Sequence, residues 1–209
     1  HVGLVLRMKA GQPLTLFNGA GGCFSASIVQ SSKRSVSVEL LEHFPDEKES
    51  PLKVHLAQSI SKGDRMEYAI QKATELGISE ITPIYGEHGD VRLKADRAEK
   101  KQQHWQQVAI SACEQCQRNR VPVVHAPVSL EQWLQQTQAD LKLVLHHRTE
   151  QKLSGYDQPQ TVALLIGPEG GLSANEIALA EQQSFKALAL GPRVLRTETA
   201  PVVAMSVLQ

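Results

Sequence analysis

At 209 residues the chain is long enough for one large domain, or for a small domain joined to a medium one. Hydrophobic residues at 41% against 21% charged give an ordinary globular balance that excludes disorder as the organising state, and no run of about 18 apolar residues offers a membrane span. The 22 basic and 22 acidic residues cancel, so net charge alone selects no polyionic partner.

The cancellation hides a local asymmetry. Residues 1–38 carry Arg7, Lys9, Lys33 and Arg34 and no Asp or Glu, whereas Glu39, Glu42, Asp46, Glu47 and Glu49 follow against Lys48. Such an acid-free basic stretch suits contact with phosphates, and equally a solvated barrel face. The opening HVGLVLRMKAG lacks the charged-then-apolar pattern of a secretory signal. It has no Met and starts mid-pattern, so residues ahead of His1 are expected. Cys23, Cys113 and Cys116 have no framework spacing, which points to a reducing, cytoplasmic setting. Cys113 and Cys116 form a C-x-x-C, open to redox chemistry or half a zinc site. The surrounding ISACEQCQR continues a helical pattern, so the simpler reading is two thiols one turn apart on a helix. No second C-x-x-C or H-x-x-x-H completes a zinc site, and the eight histidines are scattered. The adjacent His146 and His147 would point to opposite faces of a strand, so no metal site is expected.

Taken in chain order, residues 1–43 are β-rich. LTLFNG ends in the turn signal Asn18-Gly19, and FSASIVQ and RSVSVELLEHF alternate as half-buried strands do. FPDEKESP, with two prolines and a charge cluster, reads as a linker, which puts a domain boundary near Pro45 to Pro51. The rhythm then changes. KVHLAQSI predicts a strand, and DRMEYAIQKATELGI an amphipathic helix with Met66, Ile70, Ala73 and Leu76 or Gly77 on one face, stopped by Gly77. EITPIYG predicts another strand, and ADRAEKKQQHWQQVAISACEQCQR a long helix that turns apolar from Trp105. VPVVHAP, SLEQWLQQ, LKLVLHH, TVALLIG, SANEIALAEQQ and KALALG continue the alternation of strand and helix, which implies a parallel sheet with helices on its faces. The expected organisation is a small β-barrel-like domain over residues 1–46 and an α/β domain over residues 51–209.

Two segments carry the chemistry. In TVALLIGPEGGLSANEI, residues 161–177, a buried strand runs into Gly167-Pro168-Glu169-Gly170-Gly171, and Ser173 with Glu176 predicts a capping box opening a helix. Glycine-rich turns from strand end to helix start are where open α/β folds bind ligands, although the same turn can be merely structural. It is neither a dinucleotide fingerprint nor a P-loop, since no Gly-Lys-Ser/Thr follows. In LALGPRVLRTETAPVVAMSVLQ, residues 188–209, a strand leads through Gly191-Pro192 to Arg193, Arg196, Thr197, Glu198 and Thr199 and then to an apolar helix. This cluster reads as a functional loop, or as a polar helix start capped by Thr197 or Thr199.

GPEGG followed by LGPRVLRTETA resembles the SPOUT class of methyltransferases. Together with VLRMKAGQPLTLFNGAGG, KGDRMEYAIQKATELGI and AISACEQCQRNRVP, it is similar along essentially the whole chain to the bacterial 16S ribosomal RNA uracil-N(3)-methyltransferase family. The resemblance implies an α/β fold whose mostly parallel sheet ends in a C-terminal trefoil knot, with a PUA-like N-terminal barrel and a homodimer packed through the PVVAMSVLQ helix. It implies S-adenosylmethionine as cofactor, bound by Leu145, His146, Gly167, Pro168, Glu169, Gly170, Leu190, Gly191, Leu195, Arg196 and Thr197. Arg196 is implied as anion stabiliser, Glu198 as candidate base, and Arg118 as a residue orienting the base or a phosphate. The substrate implied is small-subunit ribosomal RNA, free or in an assembled 30S particle, contacted by Arg7, Lys9 and Arg34. The family carries an Arg after the Glu that follows I-T-P, where this chain has His88-Gly89, so Arg92 or Lys94 is expected to serve instead. The alternatives are ribose 2′-O-methylation by the same class of enzyme, and a non-catalytic RNA-binding protein that keeps the fold. The GPEGG and RTET loops argue against the latter, and the absence of a phosphate-binding lysine argues against a nucleotide-handling enzyme.

Overall fold

The computed structural model describes residues 2–45, 47–145 and 159–209. The chain divides into two compact units, His1–Glu49 with Gln117–Val121, and Ser50–Cys116 with Pro122–Gln209. The division falls between Glu49 and Ser50, and five residues well downstream, Gln117–Val121, belong to the smaller unit.

In the smaller unit, β1 (Pro13–Leu16), β2 (Cys23–Ser31) and β3 (Val36–Phe44) form an antiparallel sheet in the order β1-β2-β3. Ala26 and Ile28 are its buried residues, set two apart as a half-covered strand requires. Asn18-Gly19 does turn the chain: the Ala20 N–H donates to Asn18 Oδ1 at 3.0 Å within the loop from β1 to β2. The Gln117–Val121 segment is tied in through Gly21 N–H to Asn119 O at 3.1 Å and Val121 N–H to Gly19 O at 3.1 Å. Arg120 forks onto Glu47, and Arg118 onto Glu49.

The larger unit comprises β4 (Lys53–Ser59), α1 (Arg65–Glu75), β5 (Glu80–Tyr85), α2 (Ala95–Cys116), β6 (Val123–Val124), β7 (Val128–Ser129), α3 (Leu130–Gln136), β8 (Leu141–Leu145), β9 (Thr161–Ile166), α4 (Ala174–Gln182), β10 (Lys186–Leu188) and α5 (Thr199–Leu208). The strands run β10-β8-β9-β4-β5-β6, with β7 also on β5, and every pairing is parallel. Both sheet faces are covered, so the central strands are apolar at successive positions rather than alternating. Val54, Leu56, Val162, Leu164 and Ile166 pack with Met66 and Ile70 of α1, Trp105 of α2 and Met205 of α5. Ala57, Ala163 and Leu165 pack on the other face with Trp133 of α3, Ala180 of α4 and Phe185. Gly77 ends α1 as expected: its φ of 87° is left-handed, and its N–H returns to Thr74 O at 3.1 Å. Ser173 and Glu176 form the reciprocal capping box that opens α4. No helix among the described residues is long and apolar enough to cross a membrane.

Candidate functional site

A parallel sheet points all its strand ends the same way, so the end of β8 and the loops after β9 and β10 gather at one edge. There they enclose a cavity of about 600 Å³, within the range of small-molecule sites. Its floor is Ile166, Leu188 and Ala200, and its walls are the 167–173 turn and the 190–195 loop.

The side chain of Thr197, 4% exposed, joins the two loops. Its hydroxyl donates to Gly167 O at 2.9 Å and accepts from Gln58 Nε2 at 3.0 Å. Gln58 comes from the end of β4 and is itself 1% exposed, so the arginine–threonine loop is pinned to the centre of the sheet. Gly167 is required by space, because a Cβ there would lie 2.9 Å from Leu172 Cγ and 3.1 Å from Leu172 N. Gly191, with φ 103°, turns the chain where side-chain-bearing residues are strained.

A second set of bonds fixes the glycine-rich turn from outside. Glu176 is buried and accepts from the backbone N–H of Ser173 and of Glu87, each at 2.8 Å. His88 Nδ1 lies 3.1 Å from Gly171 O, and His88 lines the cavity. The departure from the family pattern at His88-Gly89 therefore lies beside the glycine turn. Arg92, expected to contact RNA, is exposed; its Nη2 donates to Gly86 O at 3.0 Å and its guanidinium sits 5.6 Å from the Tyr85 ring centre. Lys94 is exposed, and its carbonyl accepts the first N–H groups of α2.

Of the residues expected to bind cofactor, Leu145, Gly167, Pro168, Glu169, Gly170, Leu190, Gly191, Leu195 and Thr197 line the cavity. Arg196 does not. It is exposed, and its carbonyl accepts the opening N–H groups of α5 at 2.9 and 3.0 Å. His146 lies outside the described residues. Glu198 precedes α5 with Oε2 buried and without a hydrogen-bond partner among the described residues, while Oε1 lies 4.0 Å from Arg65 Nε. Arg65 also holds Glu169 at 2.7 Å, so one guanidinium in the first turn of α1 bridges both loops. Sequence reasoning missed Arg65, Gln58 and His88. The KGDRMEY segment that supplies Arg65 was read for its helical face and for the family resemblance, with no role given to Arg65. Arg118 lies in the smaller unit, 4% exposed, with its guanidinium fork on the Glu49 carboxylate. Arg7, Lys9 and Arg34 are all exposed.

Comparisons with known proteins agree along the whole length. A family model described as an RNA methyltransferase domain matches residues 48–209, and one described as an RNA methyltransferase PUA domain matches residues 1–41. The chain is 36% identical over 211 residues to ribosomal RNA small subunit methyltransferase E of Buchnera aphidicola subsp. Acyrthosiphon pisum, covering 100% of this chain and 83% of that protein. It is 34% identical over 216 residues to the Bacillus subtilis protein of the same name, covering 99% and 84%. Among solved structures, a Legionella pneumophila chain described as a methyltransferase with bound SAM aligns with TM-score 0.97 and 48% identity, covering 100% of this chain and 87% of that one. Ribosomal RNA small subunit methyltransferase E of Neisseria gonorrhoeae, bound to S-adenosyl methionine, aligns with TM-score 0.92 and 37% identity, covering 98% and 85%. With its parallel sheet, its antiparallel N-terminal sheet and these matches, the chain belongs to the ribosomal RNA small subunit methyltransferase E family of RNA methyltransferases.

Proposed function

We propose that this protein transfers a methyl group from S-adenosylmethionine to nitrogen 3 of a uridine in 16S ribosomal RNA, acting as a homodimer. The observation that carries the reading is the Thr197 hydroxyl closed on Gly167 O, which brings the two chemistry-bearing loops to one cavity. The cavity suits this cofactor. Leu145, Leu188, Leu190 and Leu195 line it and are assigned to cover an adenine, and Gly167, Leu190 and Leu195 are assigned to bond the ring edge through their backbone groups. When bound, S-adenosylmethionine supplies a methyl group on a positively charged sulfur. The trefoil threading implied by the class is supported by the path after the edge strand β10, where Thr197 returns across the sheet to Gln58 of β4 and α5 packs in the α1 layer.

The rest of the reaction falls to the chain's own groups. Nitrogen 3 of uracil is a poor nucleophile while it keeps its proton. The site must remove that proton and stabilise charge spread over two carbonyl oxygens. Arg196 is assigned the second task, being exposed beside the cavity loop with no ion pair among the described residues. Glu198 is assigned the first, directly or through a water, since one carboxylate oxygen has no hydrogen-bond partner among the described residues. The target base leaves its stack to present this edge. Arg7, Lys9 and Arg34 supply exposed positive charge for phosphate contacts.

For the dimer, α5 turns Ala200, Pro201, Ala204 and Met205 inward and leaves Val207 51% exposed, while Val194 before it is 77% exposed. Apolar side chains left in water on one helix and its lead-in loop suit an isologous contact. The decisive experiment is methyl transfer to small-subunit RNA with nucleoside analysis of the product. The expected product is N3-methyluridine, and a ribose-methylated nucleoside would overturn the reading. An Arg196→Ala protein that binds cofactor is expected to lose turnover, and normal turnover removes Arg196 from the mechanism. A Glu198→Gln protein with unchanged rate and pH profile removes Glu198 as base.

A further inference from the structure

Three ligand-type side chains, far apart in sequence, meet on the face of the sheet that carries α3 and α4. His55 stands in β4, and Glu80, the first residue of β5, is its partner in register, so the two point the same way. His125 directly follows β6, and its backbone N–H donates to Ile81 O at 2.8 Å, which fixes it beside β5. One ligand atom from each residue lies within 4.8 Å of the other two. His125 Nε2 and Glu80 Oε2 are 2.7 Å apart, and the rings of His55 and His125 lie 5.5 Å centre to centre. The cofactor cavity is elsewhere: His55 precedes Gln58 by three residues, hence about 10 Å along the strand and on the other face.

We propose that His55, Glu80 and His125 bind a divalent transition-metal ion of the zinc or cobalt kind, which clamps β4, β5 and β6 at this end of the sheet. Two imidazoles and one carboxylate form a nitrogen–oxygen set that suits such ions better than magnesium or calcium. The ion takes the place of the hydrogen bond between His125 Nε2 and Glu80 Oε2, 2.7 Å apart. The side chains of His125 and Glu80 are 41% and 47% exposed, which gives the ion an entry path and leaves room for a water to complete its shell. His55 is the anchored ligand. The Thr82 hydroxyl lies 2.8 Å and the Trp133 indole nitrogen 3.3 Å from its Nε2, so both orient the ring, and an ion bound at Nε2 takes the place of the Trp133 N–H contact. The Trp133 contact is long and the Thr82 hydroxyl rotates, so neither holds the imidazole lone pair firmly.

The test is titration of chelator-stripped full-length protein with Co²⁺ at neutral pH, following the visible bands, then displacement by Zn²⁺. One Co²⁺ per chain is expected, with bands of nitrogen–oxygen ligation and no sulfur-to-metal charge transfer. His125→Ala and Glu80→Gln, both at partly exposed positions, are each expected to weaken binding by about tenfold or more. His104→Ala removes a comparable surface pair, since His104 lies 2.9 Å from Glu67, and is expected to leave binding unchanged. Zn²⁺ is expected to raise the melting temperature of the wild type and not of His125→Ala. No saturable binding, a thiolate spectrum, or affinity untouched by His125→Ala and Glu80→Gln would overturn the proposal.

Discussion

Replacing Thr197 by valine keeps the shape of the side chain and removes its hydroxyl. That hydroxyl lies between Gly167 O at 2.9 Å and Gln58 Nε2 at 3.0 Å, in surroundings where both Thr197 and Gln58 are buried. Without it, two buried polar groups lose a partner, at about 1–3 kcal/mol each. Gln58 Nε2 keeps a longer contact to Ser59 O at 3.4 Å, which places the sum near the low end, at about 2–3 kcal/mol. For a chain of this size that is a fall in Tm of roughly 4–12 °C. The lost bond is also the one that closes the cavity, so the Kd for S-adenosylmethionine is expected to rise by about tenfold or more. Thermal melts and calorimetric titration read the two effects separately. Thr197→Ser retains the hydroxyl and is expected to stay close to wild type in affinity. A Thr197→Val protein with wild-type Tm and Kd would refute the argument that this bond holds the loops together.

Gly167→Ala places a methyl 2.9 Å from Leu172 Cγ and against the Leu172 backbone, and is expected to cost about 1–3 kcal/mol and to weaken cofactor binding, read by urea melts and calorimetry. Glu176→Ala strips the capping box and leaves the N–H groups of Ser173 and Glu87 unpaired; a loss of about 2–4 kcal/mol is expected in denaturant unfolding, where a change under about 0.5 kcal/mol would contradict it. His55, with its pKa lowered to about 4, stays neutral in the folded chain while the unfolded chain takes up its proton near pH 6.5. Its contribution is therefore complete above pH 6.5, falls as the pH drops, and is lost by about pH 4, reaching at most about 3 kcal/mol. Urea melts in chelator across that window are expected to show the decline, and His55→Gln to flatten it.

Much of the architecture was legible along the chain because it depends on local period and composition. The strands β2 and β3, the Met66–Ile70–Ala73 stripe of α1, the Gly77 stop and the Ser173–Glu176 capping box all appear where spacing put them, although β3 alternates in burial only over its first residues and leaves Leu40 and Leu41 exposed. The two loops at the site were legible too, since glycine, proline and arginine packed between a strand and a helix have few purely local uses. Nine of the eleven residues expected to bind cofactor line the cavity, whereas Arg196 stands off its wall and His146 lies outside the described residues.

What spacing could not supply is the partner of each side chain. Gln58 reads as part of an apolar strand, and only the order β9-β4 puts it within reach of Thr197. Arg118 lies in a segment suggestive of substrate contact, yet the return of Gln117–Val121 to the smaller unit gives it to Glu49. Likewise, only the folded chain sets Arg92 Nη2 on Gly86 O and His88 beside the glycine turn. His55, Glu80 and His125 have no metal-like spacing and meet only because β4, β5 and β6 are neighbours. Sequence determines local structure through short-range sterics and burial period. Strand order alone decides which residues, tens of positions apart, share one face at one level, and that is where the chemistry of this chain is assembled.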